Sequence, residues 1–121
     1  MNASIIYKTN VTSNVLDELA RELPVIIADV MTVPGGNVAR LKPKQVSLVF
    51  SQASTRDVGS DIKIILFAKS NDFRTSTGHD RANEILEKVV ALNSRSGQEC
   101  SVDVRLYFME IAAAEHSLAD K

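Results

Sequence analysis

A single cysteine, Cys100, excludes an internal disulfide, and no Cys or His spacing resembles a metal site. No apolar run reaches the 18 residues of a membrane span. The N-terminus lacks a basic region followed by an apolar one, so the expectation is a soluble, cytoplasmic protein without a membrane partner. Charge of one sign is missing too: Lys+Arg 14 against Asp+Glu 15 gives a net −1, with no electrostatic footprint for nucleic acid. No G-x-S-x-G nucleophile motif appears, so serine hydrolase chemistry is unsupported. What remains is 45% apolar and 24% charged sequence over 121 residues, enough for one domain with its own core.

That sequence reads twice as strand, helix, strand. The first unit, about 3–53, runs from Ile5-Ile6-Tyr7 through a helical stretch to a strand at Val46–Phe50. The second, about 62–111, runs from Ile62–Phe67 through another helical stretch to Val102–Leu106. Lys8-Thr9-Asn10 and Lys69-Ser70-Asn71 stand 61 residues apart at matching strand exits.

Ala3, Ile5 and Tyr7 alternate with Ser4, Ile6 and Lys8, the period of a strand with two unlike faces. Leu16, Leu19, Leu23, Ile26 or Ile27, and Val30 recur at helical steps after Thr12 or Ser13, either of which can cap the helix. Pro24 predicts a kink or two short helices meeting at Leu23-Pro24, and Pro34-Gly35-Gly36-Asn37 a turn. Thr77-Gly78-His79-Asp80 has capping-box spacing ahead of a helix carrying Ile85, Leu86, Val89, Val90 and Asn93. Ile62–Ala68 suits a central strand buried on both faces, and Val102, Val104, Leu106 and Phe108 form one face of the last strand. Cys100 reads as a small buried hydrophobe, while His79 and His116 read as surface residues.

The expected fold class is therefore α/β (α+β): two right-handed β-α-β units, strands parallel within each, make a four-stranded mixed sheet with two helices on one face. The other face presents Ile6, Val49 and Ile65, too apolar for water, so self-association is expected.

Length, element order and loop signals resemble the tautomerase superfamily, closest to its 5-carboxymethyl-2-hydroxymuconate isomerase and macrophage migration inhibitory factor branch. The residues carrying the resemblance are Pro24 within the first helix, the Pro34 turn, Arg40 and Lys42 before the second strand, Lys69, and Phe73-Arg74-Thr75 leading to Arg81. It spans roughly Ala3 to Ile111, and it implies a homotrimer whose sites lie near subunit boundaries.

The resemblance also implies a reaction in which an amino-terminal proline carries a proton between carbons of an enol acid. Asn2 stands where that proline should be, and Met1 is expected to stay, so the mechanism does not transfer residue for residue. A weaker version rests on the Met1 nitrogen, because an α-amino group has a reference pKa of roughly 7.7 to 8.0, near what a general base needs. Arg74, Arg40 and Lys69, with Lys42 beside them, are candidates to hold the carboxylate of a small ligand; a guanidinium fork suits that contact. No cofactor is called for. The two readings are a weak isomerase or tautomerase of an unsaturated 2-oxo acid, and a trimeric ligand binder or structural protein without chemistry. A ferredoxin-like regulatory or RNA-binding module has similar element order, but lacks the basic and aromatic strand motif its RNA-binding form needs.

Overall fold

A computed structural model describes residues 1–33 and 40–118. The Pro34 turn lies outside the described residues. Strands β1 (Asn2–Tyr7), β2 (Ser47–Gln52), β3 (Ile62–Lys69) and β4 (Val102–Met109) form one sheet in the order β2-β1-β3-β4. Within each half the strands are parallel, β1 with β2 and β3 with β4, while β1 and β3 join the halves antiparallel. This is the mixed sheet that the doubled sequence pattern predicts.

Helix α1 (Ser13–Met31) crosses from β1 to β2 and α3 (Gly78–Arg95) from β3 to β4. Both cover the face to which Ala3, Ile5, Ile64, Leu66 and Ala68 point, and one core joins the two layers. From α1 it takes Val15, Leu19, Leu23, Ile27 and Met31, a four-residue ladder down one side; Ile85, Val89 and Leu92 come from α3.

Three expectations need correction. Of the two outcomes expected at Pro24, the division into two short helices is not found: α1 runs as one helix from Ser13 to Met31. A mid-helix proline costs about 3 kcal/mol in isolation, but the apolar ladder on either side of it is buried as a unit. The carbonyl of Ala20, four residues back, belongs to an exposed residue that water can reach. Second, the capping box at Thr77 does not form; a short helix α2 (Asp72–Ser76) comes first, and the Asn71 side chain accepts from the amides of Phe73 and Arg74. Thr77 instead turns its hydroxyl to the Phe73 carbonyl at 2.7 Å. Third, β3 is central but not buried on both faces: Lys63, Ile65 and Phe67 are half-exposed on the side away from the helices.

That open side carries Ile6, Val49, Ile65, Phe67, Tyr107 and Met109, with Val49 61% and Tyr107 45% exposed. The Phe67 and Tyr107 rings stack across β3 and β4 with centroids 5.7 Å apart. No described helix is long and apolar enough to cross a membrane.

Candidate functional site

The chain crossovers bring the C-terminal end of α1, the start of β1 and the end of β3 to one end of the molecule. Asn2 pairs with Phe67, so Met1 precedes β1 where β3 runs out at Lys69. Of the candidate residues, Met1, Lys69 and Arg74 gather at this end. Arg40 lies in the last turn's reach but is engaged elsewhere: its guanidinium pairs with Asp29 at 2.9 Å on the solvent side of α1, where Lys88 approaches the same carboxylate at 3.7 Å. Lys42 is exposed at the 3₁₀ turn Pro43–Gln45.

The Met1 amine donates to the Gln45 carbonyl at 3.1 Å, and the Met1 carbonyl accepts from Ser47 at 2.8 Å, which ties the start of the chain to the start of β2. Met1 is half-buried against the core. Lys69 is exposed, and its side chain makes no hydrogen bond to a described residue.

Arg74 is held by a structural duty of α1. A helix leaves its last carbonyls without intrahelical partners, and α1 has neither a glycine cap nor a basic residue in its own last turn. Two arginines from the second half supply what is missing. Arg74 Nε donates to the Met31 carbonyl at 3.1 Å; Arg81 Nη1 donates to the carbonyls of Val30 and, at 3.4 Å, Thr32. Thr32 returns its own hydroxyl to Ala28 at 2.6 Å. Placing two cations at the negative end of the helix dipole adds to the hydrogen bonds.

Arg81 is the deeper of the pair, only 7% exposed, with its Nε on the Thr77 hydroxyl at 2.7 Å and its guanidinium over the Phe73 ring at 5.3 Å. Burial pushes its pKa down and Glu84 partly restores it; Arg74 is lowered by burial and by the Arg81 charge. The sequence places Arg81 in the helix that follows Phe73-Arg74-Thr75 but gives it no role at the end of α1. The available signal was that α1 lacks its own C-terminal cap while two arginines follow the third strand.

With Nε fixed on Met31, Arg74 keeps its two terminal nitrogens unpaired among the described residues, a fork able to meet a carboxylate. Tyr107 and Met109 stand on the open face of the sheet and Phe108 packs against the core, while Tyr107 and Phe108 also line a cleft between α3 and β4. Cys100 is half-buried rather than buried; burial, then the Asp61 charge, push its thiol pKa up, which leaves it a poor nucleophile at neutral pH.

No protein-family model and no curated protein sequence matches the chain. Solved structures do. The Q0 fused 4-OT symmetric trimer superposes with a TM-score of 0.61 at 12% identity, over 99% of this chain and 93% of that one. N1, a member of the cis-3-chloroacrylic acid dehalogenase family, gives 0.60 at 13% identity over 92% and 75%. A macrophage migration inhibitory factor from Toxoplasma gondii gives 0.55 at 19% identity over 100% and 98%.

Proposed function

We propose that this chain, which has the fold of the tautomerase superfamily, binds a small unsaturated 2-oxo acid at its Met1 end and tautomerises it weakly between enol and keto forms. Arg74 holds the carboxylate, Lys69 adds positive charge, and the Met1 amine carries the proton. The observation that supports this best is the state of Arg74: anchored by one nitrogen, half-buried, and with a fork unpaired among the described residues at the end of the molecule where the chain's amine stands. Arg40 is dropped to a supporting place in the reading because Asp29 already occupies its guanidinium.

A second reading, a ligand binder without chemistry, is favoured by one contact. The Met1 amine directs a hydrogen toward the Gln45 carbonyl, and Asn2 occupies the position where the resemblance expects the proline. An amine displaced by one residue loses rate steeply, about a hundredfold for ~1 Å.

The two readings separate in a ketonisation assay with phenylenolpyruvate on the wild type, Arg74→Ala and Asn2→Pro. The proposal expects slow turnover by the wild type and a fall of about 10- to 150-fold in kcat/KM for Arg74→Ala, the loss of a charged hydrogen bond of about 1.5–3 kcal/mol. Thermal melts run alongside, because Arg74→Ala also frees the Met31 carbonyl. An inert wild type with Asn2→Pro gaining Arg74-dependent activity establishes the binder reading. If none of the variants turns over and none binds the acid, both readings fail.

The assembly in this proposal is a homotrimer formed through the open face of the sheet. It is supported by the apolar surface there and by the trimeric state named for the Q0 fused 4-OT. Light scattering at micromolar concentration is expected to give about three times the 13.2 kDa chain mass. Val49→Asp places a charge on a residue already 61% exposed, so the fold is spared while the mass falls to one chain. A wild-type monomer overturns the assembly.

A further inference from the structure

Phe73 is 47% exposed, yet it lies neither on the open face of the sheet, with Val49, Tyr107 and Met109, nor in the segment after β4, with Ile111 and Leu118. It also stands outside the hydrophobic core and the partly buried layer around it. A single apolar side chain in water is ordinary. What sets Phe73 apart is how firmly it is held, and beside what.

Its backbone is fixed on both sides. The amide donates to Asn71 Oδ1 at 3.0 Å, and the carbonyl accepts from the Thr77 hydroxyl at 2.7 Å, the Ser76 hydroxyl at 3.1 Å and the Thr77 amide at 3.2 Å. The ring lies under the Arg81 guanidinium, 5.3 Å from its centroid, and still leaves nearly half of the residue open. An aromatic side chain has few torsions, and one held in this way loses little further freedom when a ligand covers it.

Its neighbours place it at the Arg74 fork. Arg81 donates to the carbonyls of Val30 and Thr32, and Arg74 to the Met31 carbonyl between them. Phe73 therefore stands with both arginines at the last turn of α1, next in sequence to the fork itself.

A division of labour follows from charge. The face of an aromatic ring is negative, so it attracts a cation such as Arg81 and repels a carboxylate. The carboxylate of a bound acid goes to Arg74, and the carbon chain is what remains for the ring. A conjugated chain is planar and meets the ring along its length; a saturated one, puckered at each carbon, touches it at fewer points.

We propose that Phe73 is the specificity-determining residue of this site: its ring bears on the carbon chain of the acid held by Arg74 and selects conjugated, planar chains over saturated ones of the same length. This rests on the reading of Arg74 as the carboxylate holder and deepens it. The selection is made in binding, so it needs no turnover to be seen.

Sorbate and hexanoate have the same number of carbons, the first conjugated and planar, the second saturated. Their binding to the full chain is followed by NMR titration of the Phe73 ring and Arg74 Nε signals. Sorbate is expected to bind about 3- to 10-fold more tightly, the factor one aromatic contact supplies, and to move the Phe73 ring signals. Hexanoate is the more apolar of the two, so burial alone predicts the opposite order. Phe73→Leu keeps apolar bulk without a ring and is expected to bring the ratio near one, whereas Phe73→Tyr keeps the preference. Arg74→Ala is expected to weaken both acids alike. Because each ratio is taken within one protein, a change of stability alone does not move it. Equal binding of the two acids by the wild type, a preference that survives in Phe73→Leu, or ring signals that stay still because a second copy covers Phe73 each overturns this inference and leaves the Arg74 reading standing. If neither acid binds the wild type, or if Arg74→Ala binds both as the wild type does, the carboxylate site itself fails and takes the inference with it.

Discussion

Arg81→Ala is expected to destabilise the fold by about 2–4 kcal/mol. Three losses add up: charged hydrogen bonds to the carbonyls of Val30 and Thr32, the bond to the Thr77 hydroxyl, and the guanidinium over Phe73. A hydrogen bond from a charged group contributes about 1.5–3 kcal/mol, and a carbonyl left buried without a partner costs about 1–3 kcal/mol. The cation–π contact adds about 0.5–1 kcal/mol. Against these stands the desolvation of Arg81 itself, visible in its lowered pKa, which alanine relieves. The balance stays strongly unfavourable because, among the described residues, only Arg74 also donates a side-chain hydrogen bond to the last carbonyls of α1 from another element. In urea, with m of about 2 kcal/mol/M, the midpoint falls by about 1–2 M. Arg81→Lys restores the charge but not the fork, so it recovers only part of the loss. Protein concentration must be held fixed, since assembly contributes to apparent stability. A change under about 0.5 kcal/mol shows that the capping account is wrong.

The opposite sign is expected at Asn93→Leu. Asn93 is 1% exposed near the C-terminal end of α3, and neither its side-chain amide nitrogen nor its oxygen has a hydrogen-bond partner among the described residues. An uncompensated buried amide costs about 1–3 kcal/mol by protein mutational data. Leucine has the same branching at the same carbon and the same number of side-chain heavy atoms, so only its bulkier methyl groups have to be accommodated. The backbone role of Asn93 survives the change, because it is the carbonyl that accepts from Ser96 at 3.1 Å and Gln98 at 3.2 Å. Stabilisation of about 1–2 kcal/mol is expected, a rise of about 4–8 °C in Tm for a chain of this size. A lower Tm for the leucine variant means that the amide is satisfied by water in solution, and the account of a buried unpaired group is then abandoned.

Much of the architecture was readable because period and order are local properties. Ile5 and Ala3 alternate into the core, Val15 to Met31 repeat every fourth residue, and the two strand-helix-strand units appear as written. Local signals failed where a distant element supplied the competing energy. Pro24 should break a helix, yet the ladder it interrupts packs on a sheet whose strands lie far away in the chain. The capping spacing at Thr77 was real, but Asn71 starts a helix earlier and leaves the Thr77 hydroxyl as a partner for Arg81.

The candidate cations divide along the same line. Arg40, Lys69 and Arg74 are alike in sequence, each a basic residue near a strand or helix end. Only the folded chain places Asp29 against Arg40 and the Met31 carbonyl against Arg74.

By itself, then, the sequence determined which segments are strands and helices, which faces are apolar, and that Asn2 replaces the residue on which the resembled chemistry rests. Those follow from side-chain period and identity, which need no partner. Tertiary structure alone decided that β1 and β3 pair antiparallel, that Arg74 and Arg81 cap the first helix, and that a cleft opens between α3 and β4. These depend on groups tens of residues apart meeting in space, which no local pattern encodes.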